Sequence, residues 1–180
     1  MKETEEQLLA QVRNGDRRAM RRLYDRYVRW ATAIAGRYVG NSDDVRDVLQ
    51  ESFLKVFASV SGFSYRGEGS LRAWVGRLVA NTALDHLRKH RQMVYIDSIP
   101  ELTDEPEPDI GGVDDATLFK MISRLPDGCR TVLNLFVFEG MSHREIGERL
   151  GIRPDSSASQ LFHAKRLLGK MIKEMRNERL

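Results

Sequence analysis

The sequence predicts an all-α chain: two small helical domains joined by an acidic linker. Three observations predict it. Apolar residues recur at three- and four-residue intervals almost throughout, and no stretch alternates as a strand does. Helix-starting residues and Gly or Asn stops punctuate those stripes. One segment, from Tyr95 to Phe119, breaks the pattern with 8 Asp/Glu and no Lys/Arg.

Taken in order, Glu5 to Arg13 reads as a short first helix ended by Asn14-Gly15. Asp16 caps a long second helix with the stripe Met20, Leu23, Tyr24, Tyr27, Trp30, Ala31, Ile34 and Tyr38, and an arginine-rich opposite face. After Gly40-Asn41, the polar run Ser42, Asp43 and Asp44 caps a third helix and suits its dipole. That helix buries Val45, Val48, Leu49, Phe53, Val56 and Phe57.

The loop Ser61 to Ser70 holds three glycines, two aromatics (Phe63 and Tyr65) and Arg66. Glycine lets a backbone approach a ligand closely, and flat rings beside a cation suit single-stranded nucleic acid. Ser70 is expected to cap a fourth helix running to about Gln92, with Leu71, Trp74, Val75, Leu78 and Val79 inward. Arg77, Asn81, Leu84, Arg88 and Arg91 share another face.

Tyr95 to Val113, with three prolines and Gly111-Gly112, reads as the linker. Ala116 to Ser123 and Asp127 to Phe138 follow as two helices parted by Leu125-Pro126. Then comes the most specific stretch, Gly140 to Leu168. Ser142 with Glu145 forms a capping box, Gly151 is placed to leave its helix left-handed, and Pro154 suits a first turn capped by Asp155 or Ser156. Helix, glycine turn and helix make the helix-turn-helix pattern. Its second helix buries Leu161, Ala164, Leu168, Met171 and Met175. It is expected to turn Arg153, Ser156, Ser157, Ser159, Gln160, His163, Lys165 and Arg166 outward, as groups able to contact phosphates and base edges.

Charge supports a polyanion partner. Met1 to Val94 holds 17 Lys/Arg and 11 Asp/Glu, a net of +6, and Lys120 to Leu180 holds 12 and 7, a net of +5. A single cysteine, Cys129, excludes an internal disulfide and fits a reducing compartment. No apolar run is long enough to span a bilayer and no signal-peptide core is present, so a soluble, cytoplasmic protein is expected, with no membrane insertion.

These residues resemble a known family. The chain is similar to bacterial sigma factors of the extracytoplasmic-function (ECF) group, which keep the domains called region 2 and region 4. Asp47-Val48-Leu49-Gln50-Glu51-Ser52-Phe53 resembles the family's D-x-x-Q-E-x-F segment, and the resemblance implies that Asp47, Gln50 and Glu51 dock on core RNA polymerase. By spacing alone these three form one exposed polar patch opposite Val48, Leu49 and Phe53.

Trp74-Val75, Asn81, Leu84-Asp85 and Leu87-Arg88 resemble the helix that reads and melts the −10 element. That implies a −10 surface of Phe63, Tyr65, Arg66, Trp74, Arg77, Asn81, Arg88 and Arg91. Leu125-Pro126, Arg130, Glu139-Gly140, Ser142, Glu145-Ile146 and Leu150-Gly151-Ile152 resemble region 4, whose last helix binds the −35 element. Ala80 and Ala158 stand where relatives often carry a basic residue, which alters phosphate or guanine contacts.

The resemblance implies region 2 over residues 1–94, the linker over 95–113 and region 4 over 114–180, with core RNA polymerase, promoter DNA and an anti-sigma factor as partners. It implies no cofactor and no small-molecule substrate. Enzymatic constellations are absent on the residues' own evidence. His86 and His90 have metal-ligand spacing but no third ligand follows, and Gly67 and Gly69 lack the Lys-Ser/Thr of a phosphate-binding loop. The alternative is a conventional helix-turn-helix regulator with a sensing or dimerising amino-terminal bundle, but such a protein needs neither the Asp47–Glu51 patch nor the aromatic glycine loop.

Overall fold

The computed structural model describes residues 3–90 and 108–178. The described residues are helical, with no strand among them. The chain divides into two compact units, Met1–Arg91 and Gln92–Leu180.

In the first unit, α1 (Glu5–Arg13) starts at Thr4, whose side chain forms a reciprocal capping box with Gln7. Asp16 caps α2 (Arg17–Tyr38) by accepting from the Arg18 and Ala19 amides, as expected. α3 (Ser42–Ser59) is capped one residue earlier than expected, by Asn41, and a short 3₁₀ turn (Val60–Gly62) closes it. α4 spans Ser70–His90. Ser70 is its first helical residue and not its cap; the hydroxyl turns back to donate to the Gly67 carbonyl.

The three long helices pack on one another through Leu23, Ala31, Tyr38, Val48, Val56, Leu71, Val75, Val79 and Leu87, all buried. Each such aliphatic side chain contributes on the order of 1.5–3 kcal/mol. α1 covers α2 with Leu8, Leu9 and Val12. Gly76 marks where α4 meets Trp30 of α2: a Cβ there would lie 2.5 Å from the indole edge. The Arg72 guanidinium sits over the same ring, 4.8 Å from its centroid.

In the second unit, Asp114 caps α5 (Asp115–Ser123), and α6 covers Asp127–Leu133. Helical structure reaches Phe138 as expected, but it widens after Leu133: Asn134–Phe138 is a π-turn, in which the Glu139 amide reaches back five residues to the Asn134 carbonyl. The wider turn leaves Val137 and Phe138 exposed.

α7 (His143–Leu150) starts on the Ser142–Glu145 capping box and ends at Gly151, whose φ of 70° is left-handed, both as expected. α8 (Pro154–Asn177) has Arg153 at its cap position with no side-chain bond, so neither Asp155 nor Ser156 caps it. Its buried stripe runs Leu161, Ala164, Leu168 and Ile172; Met171 and Met175 are only half-buried. Near its end Arg176 holds the incoming chain, donating to the Asp109 carboxylate (3.0 Å) and the Gly111 carbonyl (2.7 Å).

Candidate nucleic-acid interface

On α3, Asp47 and Gln50 are exposed, and Glu51 is half-buried and accepts from Lys55 Nζ at 2.8 Å. That hydrogen bond holds the Glu51 carboxyl below its ordinary range. Lys55 also donates to Thr82 Oγ1 (3.3 Å) on α4, so the patch rests on the α3–α4 interface. Sequence reasoning missed Leu54. It follows Gln50 by one turn and is 65% exposed, an apolar anchor beside two polar side chains. Its signal was an apolar residue off the buried stripe.

The Phe63 ring stacks on Trp74 with centroids 4.7 Å apart and planes 26° from parallel. Phe63 therefore has one face already occupied by Trp74. Tyr65 is half-buried and Arg66 exposed, its backbone amide donating to Ser70 Oγ. From this loop α4 carries Arg77, Asn81 and Arg88 outward along one side, at i, i+4 and i+11. Ala80 is buried. Leu84, expected on the same face, is instead buried in the core, and Arg91 lies outside the described residues.

The loop has a second support that sequence reasoning missed. Glu5, 3% exposed, accepts hydrogen bonds from the Tyr27 hydroxyl (2.7 Å) and the Gly69 amide (2.8 Å). Burial, then this bond to Glu5, pushes the Tyr27 phenol well above its ordinary value. No local pattern signals a contact between residues 64 positions apart.

On α8 the expectation needs correction. Ser156, Ser157, Ser159 and Gln160 are buried and do not form an outer face. Ser157 Oγ lies 3.0 Å from His143 Nδ1 on α7, and Gln160 Oε1 accepts from Cys129 Sγ (3.1 Å) on α6. The physical reason is size. Small hydroxyls let α8 sit close against α6 and α7, and the one long amide finds a buried partner.

Of the expected set Arg153 and Arg166 are exposed, while Lys165 and His163 are half-buried, with His163 Nε2 itself shielded from solvent; Arg153 pairs with Asp155 at 3.2 Å. His143 stacks on Phe136 (centroids 4.8 Å) and ties the start of α7 to α8. Burial, then the charge of Lys165, holds its imidazole below the ordinary histidine value. Among the described residues no His, Cys, Asp and Glu side chains gather as a metal site, and no helix is long and apolar enough to cross a membrane.

A cationic helix beside an aromatic glycine loop in one unit, and a helix-turn-helix in the other, define a two-module nucleic-acid-binding protein. Sigma-70 region 2 matches residues 23–93, and Sigma-70 region 4 matches residues 116–168. The chain is 28% identical to the RNA polymerase sigma-H factor of Pseudomonas aeruginosa, covering 98% of this chain and 97% of that protein. It is also 28% identical to the ECF RNA polymerase sigma-E factor of Haemophilus influenzae, over 96% and 97%. Among solved structures, CnrH in complex with the cytosolic domain of CnrY aligns over 93% of this chain and 96% of that one, at 25% identity and a TM-score of 0.48. The chain belongs to the sigma-70 family, in its ECF group.

Proposed function

We infer that this sigma factor docks on core RNA polymerase through α3 and brings it to promoters whose two elements are gripped by separate units. Residues 1–94 take the polymerase and the −10 element, 95–113 link, and 114–180 take the −35 element. The observation that carries this reading is the shared face of Arg77, Asn81 and Arg88, which leads away from the Phe63–Trp74 stack. Unstacking a base costs a few kcal/mol. Aromatic surfaces return about 1–3 kcal/mol per base, and cations on the same face neutralise the strand's phosphates. Arg153, His163, Lys165 and Arg166 are the α8 groups that meet duplex DNA, and the buried serines and Gln160 hold that helix at its angle.

Asp47, Gln50 and Leu54 form the polymerase contact. An anti-sigma factor fits the same surfaces, since covering Leu54 and the α4 cations withholds both from their partners. The chain acts in the cytoplasm and carries out no catalysis of its own.

Run-off transcription with core polymerase, on a promoter selected from a randomised library, tests the reading. The parent chain should yield a defined start site. Asp47→Arg and Gln50→Arg should lose core binding while keeping the parent's helical circular dichroism. A parent that directs no start, or two variants that transcribe as well as the parent, would defeat the assignment.

A further inference from the structure

We propose that Glu5 is a positioning residue for promoter opening: from α1 it supplies the cap that α4 lacks, and so fixes the loop that takes up the −10 strand. The proposal rests on the functional reading above. α4 opens at Gly69, whose carbonyl accepts the first helical bond from Ala73. A cap residue normally lends a side-chain oxygen to the amides of the first turn. Gly69 has no side chain, and its φ of 89° disfavours any other residue.

Glu5 Oε2 fills the gap, accepting from the Gly69 amide (2.8 Å) and the Leu71 amide (3.3 Å), while Oε1 accepts from the Tyr27 hydroxyl (2.7 Å). A carboxylate is favoured there, at the positive end of a 21-residue helix. The same short helix holds the loop's other end. Arg13 donates to the carbonyls of Val60 and Phe63. α1 therefore spans the loop from start to finish: Phe63 sits at one anchor, and Tyr65 and Arg66 lie between the two.

Packing alone does not account for Glu5. Leu8 and Leu9 already seat α1, and a buried carboxylate is costly unless its hydrogen bonds are made. Here all the bonds go to the loop–helix junction and to the tyrosine behind it.

The test uses the full chain with core polymerase on a promoter selected by the parent. Three quantities are read: exchange of the Gly69 and Leu71 amides in the free chain, permanganate reactivity of −10 thymines, and affinity for core. Glu5→Ala should speed both amides about tenfold and cut open complexes by a similar factor, with core affinity unchanged. Glu5→Gln, which keeps length and an acceptor, should restore most of the opening. If Glu5→Ala does not fold, Glu5→Asp replaces it. One methylene shorter, it keeps the charge but cannot span the tyrosine and both amides, and should show the same selective loss.

Faster amides with undiminished opening overturn the proposal, as does an equal loss of core affinity in every variant, or an Asp variant that opens like the parent. A parent that opens no promoter overturns the functional reading and this proposal together. A parent that opens while Glu5→Ala opens equally well overturns this proposal alone.

Discussion

Replacing Arg130 with Met should destabilise the second unit selectively. The guanidinium is 2% exposed. Its Nη1 donates to the carbonyls of Ser123 (2.9 Å) and Leu125 (3.1 Å), at the turn where α5 gives way to α6, and Nη2 pairs with Asp127. Methionine keeps most of the stem's volume, so little cavity forms and the change isolates the polar loss. Hydrogen bonds to a charged group contribute about 1.5–3 kcal/mol each. Part of that is returned because no cation need be desolvated. Asp127 keeps 27% of its side chain in solvent and rehydrates cheaply. A net loss of about 3 kcal/mol remains. A unit of this size has only on the order of 4–10 kcal/mol of stability. At roughly 4–8 °C per kcal/mol, the melting point should fall by about 12–24 °C.

The assay is built into the sequence, since the two tryptophans, Trp30 and Trp74, both belong to the first unit. Tryptophan fluorescence follows that unit, and ellipticity follows both. Arg130→Met should move part of the ellipticity transition and leave the fluorescence transition in place. Arg130→Lys should fall between, because an ammonium cannot reproduce the planar fork. An Arg130→Met chain melting within about 2 °C of the parent would refute the account of the turn. Two transitions that moved together would refute the selective effect.

Further predictions concern single groups. Arg88→Ala should weaken promoter binding and reduce the slope of log affinity against log salt by about one, as anisotropy titrations at several salt concentrations would show. His143 titrates below the ordinary value of about 6.5. The unfolded chain therefore takes up that proton first, and the second unit keeps this increment of stability above about pH 6.5 and loses it as pH falls through the folded value. His143→Gln should flatten the melting temperature between about pH 7.5 and 5; an unchanged pH dependence would exclude His143 as its source. Burial pushes the Cys129 thiol up to about 11. Iodoacetamide should then react about a hundredfold more slowly with the native chain than with the urea-unfolded one, as mass spectrometry over time would reveal.

Local signals carried most of the fold. The limits of α1, the Asp16 cap, the Ser142–Glu145 box and the Gly151 exit all depend on residues within four positions of one another, and such signals survive in a bare sequence. What escaped depends on distant partners. The π-turn at Asn134–Phe138 carries no glycine or proline to mark it, and helical periodicity does not distinguish one widened turn from an α-turn. Ser157 and Gln160 are polar by type, yet His143 and Cys129 draw them inward from 14 and 31 positions away. Arg77 and Arg88 on α4 were legible because an arginine is almost never fully buried unless paired, as Arg130 is. Glu5 served the sequence reading only as the start of the first helix, and only the return of the chain at Gly69 gives it a task.

The meeting of Gly76 with Trp30 makes two positions 46 residues apart answerable to each other. With the indole in place, even a methyl group on α4 at that point forces a rearrangement. The indole is itself confined by Tyr27, 6.5 Å away edge-on, and by Arg72 above. A mutational scan varying one position at a time will thus score residue 76 as intolerant. A paired library that trims residue 30 as it enlarges residue 76 should recover folded chains. Grafting the α4 side that carries Arg77, Asn81 and Arg88 into another sigma factor accordingly means grafting its neighbour on α2 as well.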